Sequence, residues 1–495
     1  MSRQQWQFAL SVDRNLPQPL FLQIARAIID DICRRRLKPG DMLPGTRTLA
    51  QSLNVNRVTV LTAYDELVAE GWITTHPARG CSVSPQLPED LRSRPAARPR
   101  PFEQAPAYLL PAAPTVRRSP EHLRHVLVFG ANSPDARLLD VEPLARAYRR
   151  ALRKSGGALL GYANPEGHPR LRLAIAAMLS AARGLAVSAE HIFVTRGSQM
   201  ALALTARALL RPGDCVAVEA LGYCHAWQTF TTAGANIIRV PVDELGLDVR
   251  ALARLLETQR ISAVYTTPHH QFPTTVTMAP ARRLQLLELA RLHRFAIIED
   301  DYDHEFHYDG RPVLPLASLD RAGVVIYVGT FSKVLAPGVR LGFVAGSPAL
   351  LAHLGAYREF IDMQGDAVTE AAVAEMLEEG EVQRHVRRVR RVYGARRDLL
   401  VTLLREAFGD DVEFTIPGGG VALWIHARGA IDVDAWARAA IDRGVAFQTA
   451  RSFSSDGRRR PFARLGFACL DGNELRKAVG RLRLALDDLS TRRSA

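Results

Sequence analysis

Apolar residues recur at two different spacings along this chain of 495 residues. Up to about residue 84 they repeat every three to four residues, which is the spacing of amphipathic helices. From about residue 125 onward, short runs rich in Val and Ile alternate with helical stretches. These runs lie at residues 192–195, 215–219, 237–241, 263–267, 296–299 and 324–328. Such alternation predicts an α/β domain with a mostly parallel sheet and helices on both of its faces.

The N-terminal stretch is predicted to contain three helices followed by two short strands. The helices are expected over residues 19–36, 46–53 and 57–70. Gly71 ends the last helix, as a C-cap glycine does, and the strands at 72–75 and 81–84 enclose a wing. The second and third helices are joined by a tight turn, which is the arrangement of a helix–turn–helix that enters the DNA major groove. Residues 1–84 are therefore predicted to form an α+β winged helix–turn–helix domain.

The rest of the chain divides by composition into three parts. Nine prolines lie between residues 85 and 120, and such a segment is predicted to be an extended linker. Residues 121–346 contain the alternating strands and helices of a large subdomain. Residues 347–495 are mainly helical, with strand-like pieces near 421–426 and 463–468, which predicts a smaller α+β subdomain.

Charge and composition restrict the class of protein. The formal net charge is +13, and residues 1–118 carry 16 basic against 10 acidic side chains. A basic excess of this kind suits the neutralisation of nucleic-acid phosphates. No run of about 20 apolar residues is present, so no membrane span is expected. The five scattered cysteines form no CxxC pair, and no secretory signal is evident, so we expect reduced thiols in a cytoplasmic protein.

The segment GTFSKVLAPGVRLGF contains a lysine between hydroxyls and an arginine. Thr330 and Ser332 precede Lys333, and Arg340 follows it by seven residues. A lysine that forms a Schiff base needs an aldehyde held beside it. If that aldehyde carries a phosphate, two hydroxyls and a guanidinium supply the cradle. This spacing after an apolar strand predicts a Schiff-base site at Lys333.

The segment IIEDDYDHEF places Asp300 and Tyr302 at the end of a buried strand. An aspartate opposite a pyridine nitrogen keeps that nitrogen protonated, and a tyrosine hydroxyl can contact the phenolic oxygen of the same ring. The alternative interpretation is a solvated acidic loop. A further alternative is a metal site formed by Glu299, Asp300, Asp301, His304 and His307. We expect no metal here, because Asp300 is assigned to the pyridine nitrogen.

Three further segments are candidates for the same site. Gly197, Ser198 and Gln199 open a helix after a strand, so their N–H groups are predicted to face an anion. Tyr223 follows the next strand and can stack on an aromatic ring, although a core or rim aromatic is the alternative. Tyr162 is distant in sequence and is expected to reach the phosphate in a neighbouring subunit.

The segment LKPGDMLPGTRTLAQSLNVNRVTVLTAYDELVAEGWITTHPARGCSV resembles the GntR-type winged helix–turn–helix over almost its whole length. Gly45 and Thr46 stand where that family usually has serines. The resemblance implies contacts with promoter DNA, with Arg57 reading a guanine edge and Arg47 holding a phosphate. The alternative is that these arginines are solvated surface charges. The full implied contact set is Arg47, Arg57, Thr59, Arg79 and Gly80.

From about residue 125 to 488 the chain resembles fold-type I aminotransferases, and the whole chain is similar to the MocR subgroup of GntR regulators. The resemblance implies pyridoxal 5'-phosphate as cofactor, an amino-acid or amine effector (or the cofactor itself), and a domain-swapped head-to-tail homodimer. Arg464 matches the family's arginine for a substrate or effector carboxylate. The cofactor set is Tyr162, Gly197, Ser198, Gln199, Tyr223, Asp300, Tyr302, Thr330, Ser332, Lys333 and Arg340.

Two departures from the resemblance concern effector recognition. The turn at 271–275 reads Gln-Phe-Pro-Thr-Thr, without the Asn of aminotransferases, and Thr275 stands where Gly is usual. His225 occupies a position where some relatives have a carboxylate-binding arginine. Effector recognition is therefore expected to be only partly retained.

Three functions are compatible with these observations. The first is a transcription regulator, nucleoid-associated when bound to DNA, whose DNA binding changes when its cofactor meets an effector; at most residual transaminase activity is then expected. The second is a catalytically active aminotransferase with an appended DNA-binding domain. The third, a DNA-binding protein with an empty dimerisation scaffold, is disfavoured by the complete cofactor set.

Overall fold

A computed structural model of the chain describes residues 10–77, 79–87, 109–110, 125–130, 132–310 and 313–494. Most of the predicted linker, at 88–108 and 111–124, lies outside the described residues. The chain forms two compact units, Met1–Val116 and Arg117–Ala495. Across the described residues, no helix combines the length and the apolar character needed to cross a membrane. No disulfide links the five cysteines, all of which lie in the described part.

The first unit has the three helices and two strands that the sequence predicts, each within a few residues of the expected bounds. The strands are antiparallel, with Ile73 opposite Val83 and His76 opposite Gly80. Its core is formed by the inward faces of the first and third helices. The elements are α1 (Leu20–Cys33), α2 (Thr46–Ser52), α3 (Arg57–Ala69), β1 (Ile73–His76) and β2 (Gly80–Val83).

The second unit contains twelve α-helices among its described residues. They are α4 (Val141–Leu159), α5 (Pro169–Arg183), α6 (Ser198–Leu209), α7 (Cys224–Thr232), α8 (Val249–Leu256), α9 (Pro280–His293), α10 (Leu316–Leu319), α11 (Pro348–Glu359), α12 (Ala367–Glu378), α13 (Glu381–Phe408), α14 (Val433–Asp442) and α15 (Gly472–Ser494). Its strands are β3 (Leu127–Val128), β4 (Ile192–Thr195), β5 (Cys215–Glu219), β6 (Asn236–Val240), β7 (Val242–Asp243), β8 (Gly246–Leu247), β9 (Ile261–Thr266), β10 (Ala296–Asp301), β11 (Val325–Thr330), β12 (Gly342–Ala345), β13 (Val412–Phe414), β14 (Ala422–Ala427), β15 (Val445–Ala446), β16 (Gln448–Thr449) and β17 (Phe462–Gly466).

The large sheet has seven strands in the order β4-β12-β11-β10-β9-β5-β6. All pairs are parallel except the two that β12 makes with β4 and β11. Strands such as β4 and β11 are buried along their whole length, because helices cover both faces of a sheet of this kind. The mostly parallel α/β prediction is confirmed. The antiparallel strand β12 was not predicted.

The smaller sheet is antiparallel, in the order β13-β14-β17-β16. Here two stretches differ from the sequence-based division of the chain. The strand β3 pairs with β15, and Phe129 packs in the core of the smaller sheet, so residues 125–130 belong with that core. Conversely, α11 and α12 pack against the large sheet and its helices. The apolar faces of these segments pack against residues far away in sequence. Composition alone does not indicate such contacts.

Candidate functional site

The loops that follow the large sheet's parallel strands meet at one edge of the sheet. The loops after β4, β5, β10 and β11 lie there because the carboxyl ends of parallel strands point the same way, and ligands bind at such edges. Together with residues of the smaller subdomain they enclose a cavity of about 990 Å³. Of the predicted set, nine residues line it: Ser198, Gln199, Tyr223, Asp300, Tyr302, Thr330, Ser332, Lys333 and Arg340.

Asp300 lies at the end of β10 and is buried. The Tyr265 hydroxyl donates a hydrogen bond to its Oδ2 at 2.8 Å, whereas Oδ1 is buried without a hydrogen-bond partner. Burial raises the pKa of Asp300 to about 7, while the Tyr265 hydrogen bond and the charge of Lys333 oppose the rise. A buried acceptor without a donor is costly, so this carboxylate is prepared for an N–H group in the cavity.

One wall of the cavity has the properties of an anion cradle. Gly197 precedes α6 with φ of +81°, in the left-handed region that favours glycine. A Cβ at this position would lie 3.3 Å from the Arg340 guanidinium, so the glycine allows that side chain to approach. Arg340 donates to the Arg196 carbonyl at 2.9 Å. Helix N–H groups and a guanidinium together suit a phosphate, and Ser332 lies in the same lining.

Aromatic side chains form a further part of the cavity lining. The Tyr223 hydroxyl donates to Gln199 Oε1 at 3.4 Å, and its ring is stacked with that of His225, centroids 5.3 Å apart. Tyr302 donates to the His270 carbonyl at 3.0 Å, and burial raises the pKa of its hydroxyl well above the ordinary value. Phe272 meets the rings of both tyrosines edge to face.

Besides Gly197, which precedes the lining residue Ser198, two predicted residues are not part of the cavity lining. Tyr162 is 85% exposed and does not line the cavity of its own chain. Arg464 is fully buried; its Nη1 donates to the Pro273 carbonyl at 2.6 Å and its guanidinium lies over the Phe272 ring. Arg464 meets the site through the 271–275 turn and also through the cavity residue Tyr302, whose hydroxyl pKa its hydrogen bond and charge lower against the effect of burial. In that turn Thr275 has φ of +65°, a strained conformation for a β-branched residue.

Sequence reasoning missed several residues at the cavity. Tyr265, the partner of Asp300, lies within an apolar strand, where its hydroxyl was the only available signal. Arg239 is exposed at the rim and donates to Ser455 Oγ at 2.6 Å. Gln271 Nε2 donates to the buried Glu219 at 3.0 Å, which ties the 271–275 turn to the end of β5. These contacts join segments remote in sequence.

The first unit presents its predicted DNA contacts at the start of its helices and at its wing. The Asn56 side chain caps α3, accepting from the Val58 N–H at 2.9 Å. Arg57 is exposed at the first turn of this helix, with Nε 3.4 Å from Thr46 Oγ1. Arg47 is exposed on α2 and Thr59 is half-buried on α3. Arg79 and Gly80 are exposed where β1 turns into β2.

Comparison with known proteins accounts for both units. Residues 124–482 match the family "Aminotransferase class I and II", and residues 20–83 match "Bacterial regulatory proteins, gntR family". The chain is 32% identical over 481 residues to the probable rhizopine catabolism regulatory protein MocR of Rhizobium meliloti, which covers 96% of this chain and 95% of MocR. This chain belongs to the MocR subgroup of GntR-type regulators.

Other relatives of this MocR-type regulator cover one or both units. The HTH-type transcriptional regulator TauR of Rhodobacter capsulatus is 30% identical over 475 residues, which is 94% of this chain and 96% of TauR. The solved structure of LysN, the α-aminoadipate aminotransferase of Thermus thermophilus complexed with N-(5'-phosphopyridoxyl)-L-leucine, superposes with a TM-score of 0.69 at 31% identity. It covers 75% of this chain and 94% of LysN. The regulator thus combines a DNA-binding domain with an aminotransferase-like domain of a pyridoxal-phosphate-dependent family.

Proposed function

We propose that this chain is a transcription regulator that binds pyridoxal 5'-phosphate at Lys333 and alters its DNA binding when an amino compound, or the cofactor itself, reaches that site. The observation that carries the proposal is the pairing of Lys333 with Asp300 in one cavity, in a chain that also has a gntR-family domain. The chain has four lysines, Lys38, Lys154, Lys333 and Lys477, and only Lys333 lines this cavity among the described residues.

Each cavity residue has a role that its surroundings support. Pyridoxal phosphate, when bound, supplies an aldehyde that reacts reversibly with primary amines. Lys333 would provide the resident amine. Asp300 would face the ring nitrogen and keep it protonated. The N–H groups of Ser198 and Gln199, with Arg340, would hold the phosphate, and Tyr223 would lie against the ring.

Regulation requires two states that the effector binds with different affinity. If an effector amine took the place of Lys333 at the cofactor, the lysine would be released as a cation on the loop after β11, which also holds Ser332. Both the charge and the contacts within the cavity would then change. This local change is the source of the differential affinity that we propose for DNA binding.

A homodimer is supported by the surroundings of Tyr162. The segments 160–163 and 360–364 are adjacent, because Gln364 bonds to the backbone of Gly161 and Ala163. Together they expose Leu160, Tyr162, Phe360, Ile361 and Met363. Exposed apolar clusters of this kind mark interfaces. We propose that this cluster is covered in a head-to-tail dimer, in which Tyr162 reaches the phosphate site of the other subunit.

The proposal is tested by DNA binding in the presence of amines. The purified full chain is used to select its binding sequence from random DNA. Its affinity for that sequence is then measured with and without pyridoxal phosphate, across a panel of amino acids and amines. We expect at least one amine to change affinity or footprint in the wild type and not in Lys333→Ala. An amine response that persists in Lys333→Ala would contradict the role of this site.

The aminotransferase alternative rests on the same residues, since Lys333, Asp300 and Tyr302 are also what transamination requires. It predicts sustained turnover of an amino donor with a keto-acid acceptor at ordinary enzymatic rates of about 1–10³ s⁻¹. We expect at most slow single-turnover reaction. Multiple turnovers, measured with both substrates in large excess over the protein, would favour the alternative.

A further inference from the structure

A second group of functional side chains lies behind the cofactor cavity. It consists of His269, Asp301 and His304, and their potential ligand atoms all lie within 4.8 Å of one another. All three residues are buried, with exposures of 4%, 3% and 4%. None of the three lines the cavity that contains Lys333. The cofactor therefore does not explain why they are brought together.

The polar atoms of this group have too few partners. Both ring nitrogens of His269, both of His304 and Oδ1 of Asp301 are buried without hydrogen bonds. Nδ1 of His304 lies 2.9 Å from Oδ2 of Asp301 in an ion-pair contact, which leaves Nε2 of His304 and Oδ1 of Asp301 for a further ligand. A buried polar group without a partner destabilises the folded chain. One such atom from each residue lies within 4.8 Å of those of the other two, which indicates a ligand that accepts a lone pair from each residue.

We propose that His269, Asp301 and His304 bind a divalent transition metal, zinc in the first instance. Two imidazoles and one carboxylate are a common zinc donor set, with a fourth position open to water. Zinc–ligand bonds of about 2.0–2.1 Å place two tetrahedral ligands roughly 3.4 Å apart. The candidate ligand atoms of the two histidines and Asp301 lie within 4.8 Å of one another, which is close to that spacing. Side-chain movements of about an ångström would bring them to it.

The surroundings orient the carboxylate for this role. The Tyr327 hydroxyl donates to Oδ2 of Asp301 at 2.6 Å, which leaves Oδ1 for the metal. Outer contacts of this type fix the ligands of metal sites. The nearby cations cannot accept a hydrogen bond from the histidines or supply them with a metal-like lone-pair acceptor: Arg183 is paired through Nη2 with Glu305, and Arg283 donates to three backbone carbonyls. Neither arginine replaces the metal as the partner of the histidines.

Asp300 and Asp301 belong to different sites. The sequence suggests a metal site that includes Asp300, whereas Asp300 belongs to the cofactor cavity. Successive strand residues point to opposite faces, so Asp300 meets Tyr265 in the cavity while Asp301 meets Tyr327 behind it. A metal at Asp301 would link the loop after β9, which carries His269, to the strand end that carries Asp300. We infer a structural metal that positions the cofactor-facing residues.

The test measures metal directly, so it does not depend on regulation or activity. The full chain is stripped with chelator, loaded with Zn²⁺, dialysed and analysed for metal by mass spectrometry. We expect about one zinc per chain. His269→Ala and His304→Ala should weaken zinc binding by more than the roughly 10–100-fold expected of the outer-contact variant Tyr327→Phe. The control His307→Gln changes a histidine of the same segment, outside the group, and should retain zinc.

Cobalt provides a second measurement that needs no variant. Co²⁺ in a site with two imidazoles and a carboxylate gives the visible bands of a four- or five-coordinate ion, and added Zn²⁺ should remove them. If His269→Ala and His304→Ala do not fold, this spectrum of the wild type decides the question. Substoichiometric zinc in the wild type, zinc retention unchanged in the folded histidine variants, or a purely octahedral cobalt spectrum would overturn the proposal.

Discussion

The Tyr265 hydroxyl lies 2.8 Å from Oδ2 of Asp300, and it holds one oxygen of a carboxylate whose other oxygen is buried without a partner. The two carboxylate oxygens of Asp300 therefore have different roles. Oδ2 is oriented by the protein, and Oδ1 is left for a donor within the cavity. The arrangement raises the pKa of Asp300 to about 7, because burial disfavours the charged form more than Tyr265 and Lys333 restore it.

Asp300→Asn should stabilise the cofactor-free protein at neutral and higher pH. A carboxyl whose folded pKa is about 7, against an ordinary 3.8, adds stability below about pH 4. That stability is lost as pH rises through about 7. The free energy of unfolding of Asp300→Asn, relative to that of the wild type, should therefore rise by a few kcal/mol from about pH 4 to about pH 8. One pKa unit corresponds to about 1.4 kcal/mol.

Urea unfolding of both cofactor-free proteins across this pH range measures that difference. Other buried carboxyls, such as Glu219 and Glu299, also have raised pKa values, but they are present in both proteins and cancel. The same variant should retain pyridoxal phosphate more weakly. A pH-independent difference would show that Asp300 does not titrate in this range.

Lys333→Ala should abolish covalent capture of the cofactor. In the wild type, borohydride reduction in the presence of pyridoxal phosphate should fix the cofactor on the Lys333 peptide and remove the visible absorbance. Only four lysines compete, so peptide mass spectrometry can assign the attachment completely. Lys154→Ala, which changes an exposed lysine on α4, should behave like the wild type. Cofactor fixed on another lysine in the wild type would refute the assignment.

Much of this architecture follows from local sequence signals. The strands β4 and β5 begin and end where the apolar runs do, because a strand buried on both faces is a continuous apolar run bounded by polar turns. The winged helix was equally accessible from helical periodicity and Gly71. Asp300 and Lys333 could be predicted as site residues because Asp300 lies at the end of one buried strand and Lys333 three residues after another.

The rest of the fold and of the site depends on contacts between residues that are far apart in sequence. The strand β12 inserts antiparallel between β4 and β11, although it follows β11 in the chain. No periodicity distinguishes a four-residue buried strand of either direction. Tyr265 is masked by the apolar strand in which it lies. His269 and His304 are far apart in sequence, and only the adjacency of β9 and β10 brings them together.

Thr275→Gly should raise the stability of the folded protein. Thr275 has φ of +65°, which costs a non-glycine residue on the order of 1–3 kcal/mol. Glycine relieves that strain but adds about 0.4–1 kcal/mol of unfolded-state entropy, so a net gain of about 1 kcal/mol is expected. The adjacent Thr274→Gly should have the opposite sign, because Thr274 Oγ1 donates to Gln271 at 2.6 Å. Denaturant unfolding checks both, and equal signs would contradict the strain argument.

Arg57→Ala should lose sequence discrimination more than overall DNA affinity. Arg57 is exposed at the start of α3, the helix expected to enter the major groove, and a bidentate contact to a guanine is worth about 1–3 kcal/mol. Titration of the selected site and of a scrambled duplex at one salt concentration separates the two. Arg26→Ala, an exposed arginine on α1, serves as the control. Equal losses on both duplexes for Arg57→Ala would make it a phosphate contact only.

Arg464 and Arg239 are alternative partners for the carboxylate of an effector. Arg464 is fully buried beneath the 271–275 turn, whereas Arg239 is exposed at the cavity rim. If an amino-acid carboxylate pairs with Arg464, then Arg464→Lys keeps the charge and loses the planar fork. Affinity for amino acids should then fall roughly 10–100-fold, since hydrogen bonds to charged groups are worth about 1.5–3 kcal/mol.

Amines without a carboxylate should bind Arg464→Lys as they bind the wild type, because the lost contact involves only the carboxylate. Parallel spectral titrations of the reconstituted protein with matched amino-acid and amine pairs measure this selectivity. Arg239→Ala should leave the selectivity unchanged, because its Nε already donates to Ser455 at the rim. The reverse pattern, with loss of amino-acid preference in Arg239→Ala alone, would place the carboxylate at the rim. In that case the buried Arg464 would serve to hold Pro273 and Phe272 in position.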